Sequence, residues 1–131
     1  MIMLMAQWSA PFPWGLLVVS DTGADFSGLP DEVDRSAAFN AGGDAVVFYV
    51  DNDALSRVAV RVWHDHTDDS ERSPIGSAPI SVPSGRLIVG DVERSPAVTK
   101  TFDVQPGSYL IDAYFDVPVA AESVDLVLRD A

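Results

Sequence analysis

The chain has 131 residues, 47% of them hydrophobic, and a mean hydropathy of +0.14, enough apolar material for one domain spanning residues 1–131. Its 20 acidic and 8 basic residues leave a net charge of −12, a field that repels nucleic acid and anionic membranes and speeds encounter with basic proteins. There is no cysteine, which excludes disulfides, thiolate nucleophiles and cysteine-held zinc.

The opening, "MIMLMAQW", is apolar but lacks the basic flank and length of a signal peptide, and it is shorter than the about 20 apolar residues of a membrane span. A cytoplasmic location is therefore expected. Trp8 and Trp14 follow in "QWSAPFPWG", where the prolines enforce extended backbone and packing across a sheet edge is the expected role. "WGLLVVS" (14–20) reads as a nearly continuous apolar strand. Asp21-Thr22-Gly23 comes next and matches the Asp-Thr-Gly of aspartic proteases. That chemistry needs two such aspartates, and the polar run "DFSGLPDE" stands where an apolar strand should follow. A strand end entering a polar turn accounts for the triplet better. The one plausible helix is "LPDEVDRSAAF" (29–39), with Pro30 in its first turn, acids near its N-terminus and Leu29, Val33 and Ala37 at near-helical spacing. A structured loop fits the same residues almost as well.

From there the apolar residues recur with period two, the mark of half-buried strands. "DAVVFYV" (44–50) leads into "RVAVRVW" (57–63), where Val58, Val60 and Val62 share one face and Arg57 and Arg61 the other. Trp63 falls on the arginine face, exposed or stacked on the guanidinium groups. "APISV" (78–82) and "GRLIVGD" (85–91) flank the turn Pro83-Ser84-Gly85, and "VTKTFDV" (98–104) and "SYLIDAYFDV" (108–117) flank Gln105-Pro106-Gly107. Tyr109, Ile111, Ala113 and Phe115 line one face of the latter strand, opposite Asp112 and Asp116. "SVDLVLR" (123–129) closes the series with Val124, Leu126 and Leu128 inward. About eight short strands between Gly/Pro-rich turns, with at most one short helix, predict an all-β fold, an antiparallel β-sandwich or a jelly-roll-like barrel.

Both histidines of the chain lie in "VWHDHTDDSE" (62–71). On an extended backbone His64 and His66 project to the same side, and with Glu71 they resemble the first metal motif of the cupins. Pro83-Ser84-Gly85 echoes the second cupin motif, but Ile88 stands where its histidine should be and Val58 where a glycine is expected. A small metal-dependent cupin-like barrel enzyme using His64, His66 and Glu71 is thus the alternative reading; a solvated hairpin loop is the plainer one. A third reading makes Asp65, Asp68, Asp69 and Glu71, with Asp51 and Asp53 from a neighbouring turn, an acidic protein-binding surface. No glycine loop that could cradle phosphate precedes a helix, so no cofactor is expected.

The order of elements adds a family likeness. "AFNAGGDAVVFYV", "RVAVRVW", the polar excursion 64–77, "ISVPSGRLIVGD" and "KTFDVQPGSYLIDAY" together resemble the competence protein J group over about residues 39 to 115. That group comprises small bacterial β-sandwich proteins that bind and inhibit a partner DNA-entry nuclease, and similar proteins occur among the immunity partners of bacterial toxins. The resemblance implies a non-catalytic inhibitor of a basic partner, a nuclease or nuclease-type toxin, and it carries no binding residue over position by position. Charge supports the same expectation, since a nuclease groove is basic in order to hold DNA. Direct nucleic-acid or membrane binding is not expected. Exposed sheet edges would permit a homo-oligomer.

Overall fold

The computed structural model describes residues 3–12, 15–24, 39–50, 57–64, 73–91, 95–117 and 122–130. Ten strands run through them: β1 (Met3–Ala10), β2 (Leu16–Asp21), β3 (Phe39–Ala41), β4 (Ala45–Tyr49), β5 (Val58–His64), β6 (Ser73–Val82), β7 (Arg86–Gly90), β8 (Lys100–Asp103), β9 (Gly107–Phe115) and β10 (Ser123–Asp130). They form two five-stranded sheets, ordered β1-β5-β10-β9-β6 and β3-β4-β2-β7-β8. The fold is all-β, as the alternation predicts, and no helix occurs among the described residues.

Four expectations change. The apolar start is strand β1, paired antiparallel with β5, and a register shift between Leu4 and Ala6 breaks the alternation that would have marked it. Phe39, read as the end of a helix, belongs to strand β3, while the rest of that segment lies outside the described residues. The first sheet is not wholly antiparallel, because β10 pairs with β5 in parallel and with β9 antiparallel. Finally, β5 and β6 are separated by β10 and β9, so the connection between them is a crossover and not a hairpin.

The core lies between the sheets and is filled by the inward rows that the period-two pattern picks out. Val58, Val60 and Val62 of β5 sit beside Val124, Leu126 and Leu128 of β10 and Ile111, Ala113 and Phe115 of β9, all at most 2% exposed. From the second sheet come Leu17, Val19, Val46, Phe48, Leu87 and Val89. Phe48 meets Phe115 edge-on with ring centroids 6.5 Å apart, which joins the two layers through a favoured aromatic geometry. Strands β2, β4 and β7 are buried on both faces, in keeping with their unbroken apolar runs.

Aromatic side chains close the two long sides of the sandwich. The Trp8 indole N–H donates to the Val98 carbonyl at 2.8 Å, and its ring lies 6.4 Å from that of Phe102 on the opposite sheet. On the other side Phe39 packs over Gly76 so closely that a Cβ there would come within 2.9 Å of the ring. Among the described residues no helix is long and apolar enough to cross a membrane.

Candidate functional site

Of the sequence-predicted contact residues, Asp51, Asp53, Asp65, Asp68, Asp69 and Glu71 lie outside the described residues, as does His66. His64 is described. It is the last residue of β5, half-buried, in register with Met3 of β1 and Leu128 of β10. Among the described residues no three His, Asp or Glu side chains converge as metal ligands.

The inward rows explain what His64 does. The β5 row runs Val58, Val60, Val62 and then His64; the β10 row runs Val124, Leu126, Leu128 and then Asp130; the β9 row, read the same way, runs Phe115, Ala113, Ile111 and then Tyr109. Side chains on one face of a strand recur at every second residue, so all three rows reach the same end of the sandwich with a polar group. The apolar core therefore stops one layer short, and the last layer opens as a cleft of about 460 Å³. Met5, Val104 and Leu128 supply apolar wall, while His64, Asp103, Gln105, Tyr109 and Asp130 supply polar groups.

Two corners build the far wall. Both predicted turns carry the chain from one sheet to the other at this end: Pro83-Ser84-Gly85 joins β6 to β7, and the segment after Asp103 joins β8 to β9. Gly85 takes φ 74°, a left-handed conformation that side chains disfavour, and a Cβ there would lie 3.0 Å from the Val104 carbonyl oxygen. The close approach lets Val104 N–H donate to the Gly85 carbonyl at 2.9 Å and ties the corners together. The Tyr109 hydroxyl donates to the Gln105 carbonyl and anchors the second corner to β9. Burial raises the Tyr109 phenol above its ordinary value, and the nearby Asp130 carboxylate raises it further.

Asp21, the protease-like aspartate, lies beneath the first corner and is 3% exposed. Its carboxylate accepts from Gly23 N–H at 2.8 Å, from Ser84 N–H at 3.0 Å and from Ser84 Oγ at 2.5 Å. A carboxylate sunk beneath a turn and already accepting backbone N–H groups fastens β2 to the β6–β7 corner; it is not presented to a substrate.

The reverse face of the first sheet holds a second set of charges. Asp125 is fully buried, accepting from the Trp63 indole N–H at 2.9 Å and pairing with the Arg61 guanidinium at 2.6 Å. The Arg61 guanidinium also lies 5.4 Å from the Trp63 ring centroid. Trp63 thus stacks with an arginine as its place in the pattern allows, but at 5% exposure it is not a free surface anchor. Further along, Arg129 pairs with Asp112, which also accepts from the Ser77 hydroxyl. Burial alone would raise the Asp112 carboxyl, but these hydrogen bonds and the Arg129 charge hold it below its ordinary value. Arg61 and Arg129 are thereby neutralised locally. At the cleft, Asp103 faces Arg86 at a loose 3.5 Å with both side chains largely in solvent, and Asp130 stands exposed on the rim.

Asp103 and Asp130 were not singled out by sequence reasoning, and Tyr109 was read only as part of its strand's apolar face. The usable signal was the row rule itself: one step beyond Leu128 in the same alternation is Asp130.

No family model matches the chain, and no curated protein matches it in sequence. Two solved structures share its fold. One is ComJ from Bacillus subtilis, described as an inhibitor of the DNA-degrading activity of NucA: TM-score 0.72, 11% identity, covering 100% of this chain and 99% of that one. The other is described as crocagin biosynthetic gene J, with a TM-score of 0.56 and 15% identity over 98% of this chain and 96% of that chain. At these identities the likeness is one of fold, and it extends beyond the 39–115 span over which the sequence resembles the competence protein J group.

Proposed function

We propose that this protein is a non-catalytic inhibitor that acts in the cytoplasm by binding a basic partner of the nuclease or nuclease-toxin class. The observation that carries this reading is a fold shared end to end with a nuclease inhibitor, on a chain whose net charge is −12. A nuclease groove is cationic because it binds the phosphate backbone, so carboxylates on a rigid scaffold can occupy it in place of DNA. Long-range attraction then speeds capture. Asp65, Asp68, Asp69 and Glu71, with Asp51 and Asp53, are the proposed contact carboxylates.

The test is recovery of the partner from the native host with the tagged chain, followed by a nuclease assay and association kinetics. The expected result is a basic nuclease whose activity the chain suppresses, with an association rate that falls at least about tenfold between low salt and about 0.5 M. Neutralising Asp65, Asp68, Asp69 and Glu71 together should slow association by a similar factor. Recovery of no basic protein, or a complex indifferent to salt, overturns the reading.

A further inference from the structure

We propose that the cleft at the His64 end of the sandwich is the seat for one long basic side chain, lysine or arginine, of the partner protein. The inference rests on the inhibitor reading above and names the contact at which that partner is anchored. It uses none of the carboxylates between residues 51 and 71.

The chemistry of the walls selects the occupant. At about 460 Å³ the cleft falls within the size range of sites that take small groups. Met5, Val104 and Leu128 line it with aliphatic surface, and Leu128 is 1% exposed. Asp130 rises on the β10 side and Asp103 on the β8 side. A lysine or arginine carries an aliphatic stem ending in a cation, and such side chains lay the stem on apolar surface while the head seeks charge. An anion would meet the Asp130 carboxylate and that of Asp103, whose charge Arg86 offsets only loosely at 3.5 Å in solvent. A purely apolar anchor would strip water from Asp130 and Asp103 without compensation. The two acids come from different sheets held together by the Val104–Gly85 hydrogen bond and the Tyr109 anchor, so the seat is formed before binding. Arginine is among the residues enriched at interface hot spots, and a preformed pocket lowers the ordering cost of seating such a side chain.

The first experiment needs no partner. The full-length chain is titrated with n-butylguanidinium and with n-butylammonium at constant ionic strength, following its methyl and aromatic NMR signals, and n-pentanol serves as the uncharged control. Saturable shifts confined to Met5, His64, Val104, Tyr109 and Leu128 are expected with the cations and not with the alcohol. The Asp103→Asn/Asp130→Asn double variant, its fold checked from the same spectra, should bind about fivefold more weakly or worse. Absence of shifts at these residues, equal shifts with n-pentanol, or undiminished binding by the double variant each overturns the proposal.

The second experiment separates this proposal from the reading beneath it. If wild type and double variant capture the same basic partner with equal affinity, the inhibitor reading stands and the cleft anchor falls. If the cleft binds n-butylguanidinium as described while the chain captures no basic protein, the inhibitor reading falls and the cleft keeps its cation specificity. Loss of capture by the double variant, with its fold intact, supports both.

Discussion

Strand β10 carries aspartates in two contrasting settings. Asp125 lies in mid-strand on the outer face of its sheet, yet it is fully buried, paired with Arg61 and accepting from the Trp63 N–H. Asp130 lies on the inward face, the side that should be dry, yet it is exposed because the core ends at Leu128. Position along the strand has overridden the rule that alternation sets burial. An acid in the middle of a strand is tied into the structure, whereas an acid at the end of an inward row is left at the mouth of an open cleft.

The contrast can be broken from either side, and the largest effect is expected at Asp125. Asp125→Ala leaves the Arg61 charge and the Trp63 N–H without their acceptor, and breaking such a pair costs on the order of 3 kcal/mol or more, read as a lowered urea midpoint with unchanged slope. Asp21→Ala should follow at about 2–3 kcal/mol, since the Ser84 and Gly23 N–H groups lose a buried acceptor. A loss below about 1 kcal/mol at either position would show that water replaces the missing carboxylate and that the fastening role is overstated.

The Asp112–Arg129 pair sharpens the comparison through pH. A carboxyl held below its unfolded value of about 3.9 contributes stability that is complete above that pH and is lost as pH falls through the native value. Arg129→Ala removes the main support for that depression. The variant should be less stable than wild type at neutral pH, and the two denaturation profiles should converge below about pH 4. Parallel profiles at every pH would mean the arginine acts through packing alone.

The smallest effect on stability is expected where the effect on binding is greatest. Asp103→Asn/Asp130→Asn should leave the thermal midpoint unchanged, because Asp130 is exposed and the Asp103–Arg86 pair is a loose one in solvent. A clear drop would place them with Asp125 as structural groups and dissolve the contrast.

Most of the strands are legible in the sequence because their faces differ. Val58, Val60 and Val62 against Ala59 and Arg61 leave no choice of which side is wet. Strand β1 hides because its register shift breaks the alternation, and β3 because three residues hold too little pattern to oppose the helical spacing of Leu29, Val33 and Ala37. The parallel pairing of β5 with β10 could not be read, since which strands meet is settled by packing between distant residues. The site follows the same division. The acids of "DHTDDSE" announce themselves as charge but not as geometry. Asp103 and Asp130 look ordinary in sequence and come to line one cleft only because two sheets end together. Asp21 shows the converse: a protease-like triplet is visible at once, and its use as a fastener appears only when Ser84 is seen to fold over it.

The placement of β10 between β5 and β9 bears on how the molecule is made. The strand that completes the middle of the first sheet comes after all nine others in chain order. As the polypeptide leaves the ribosome, β1 can pair with β5, and β6 with β9, but without β10 the two halves of this sheet meet only through the second sheet packed against them. Until residues 123–130 emerge, two open strand edges and the apolar rows behind them stay uncovered. The keystone follows every other described strand, so a nascent chain passes through an adhesive stage whose length depends on translation speed, and stalling just before residue 123 should favour aggregation.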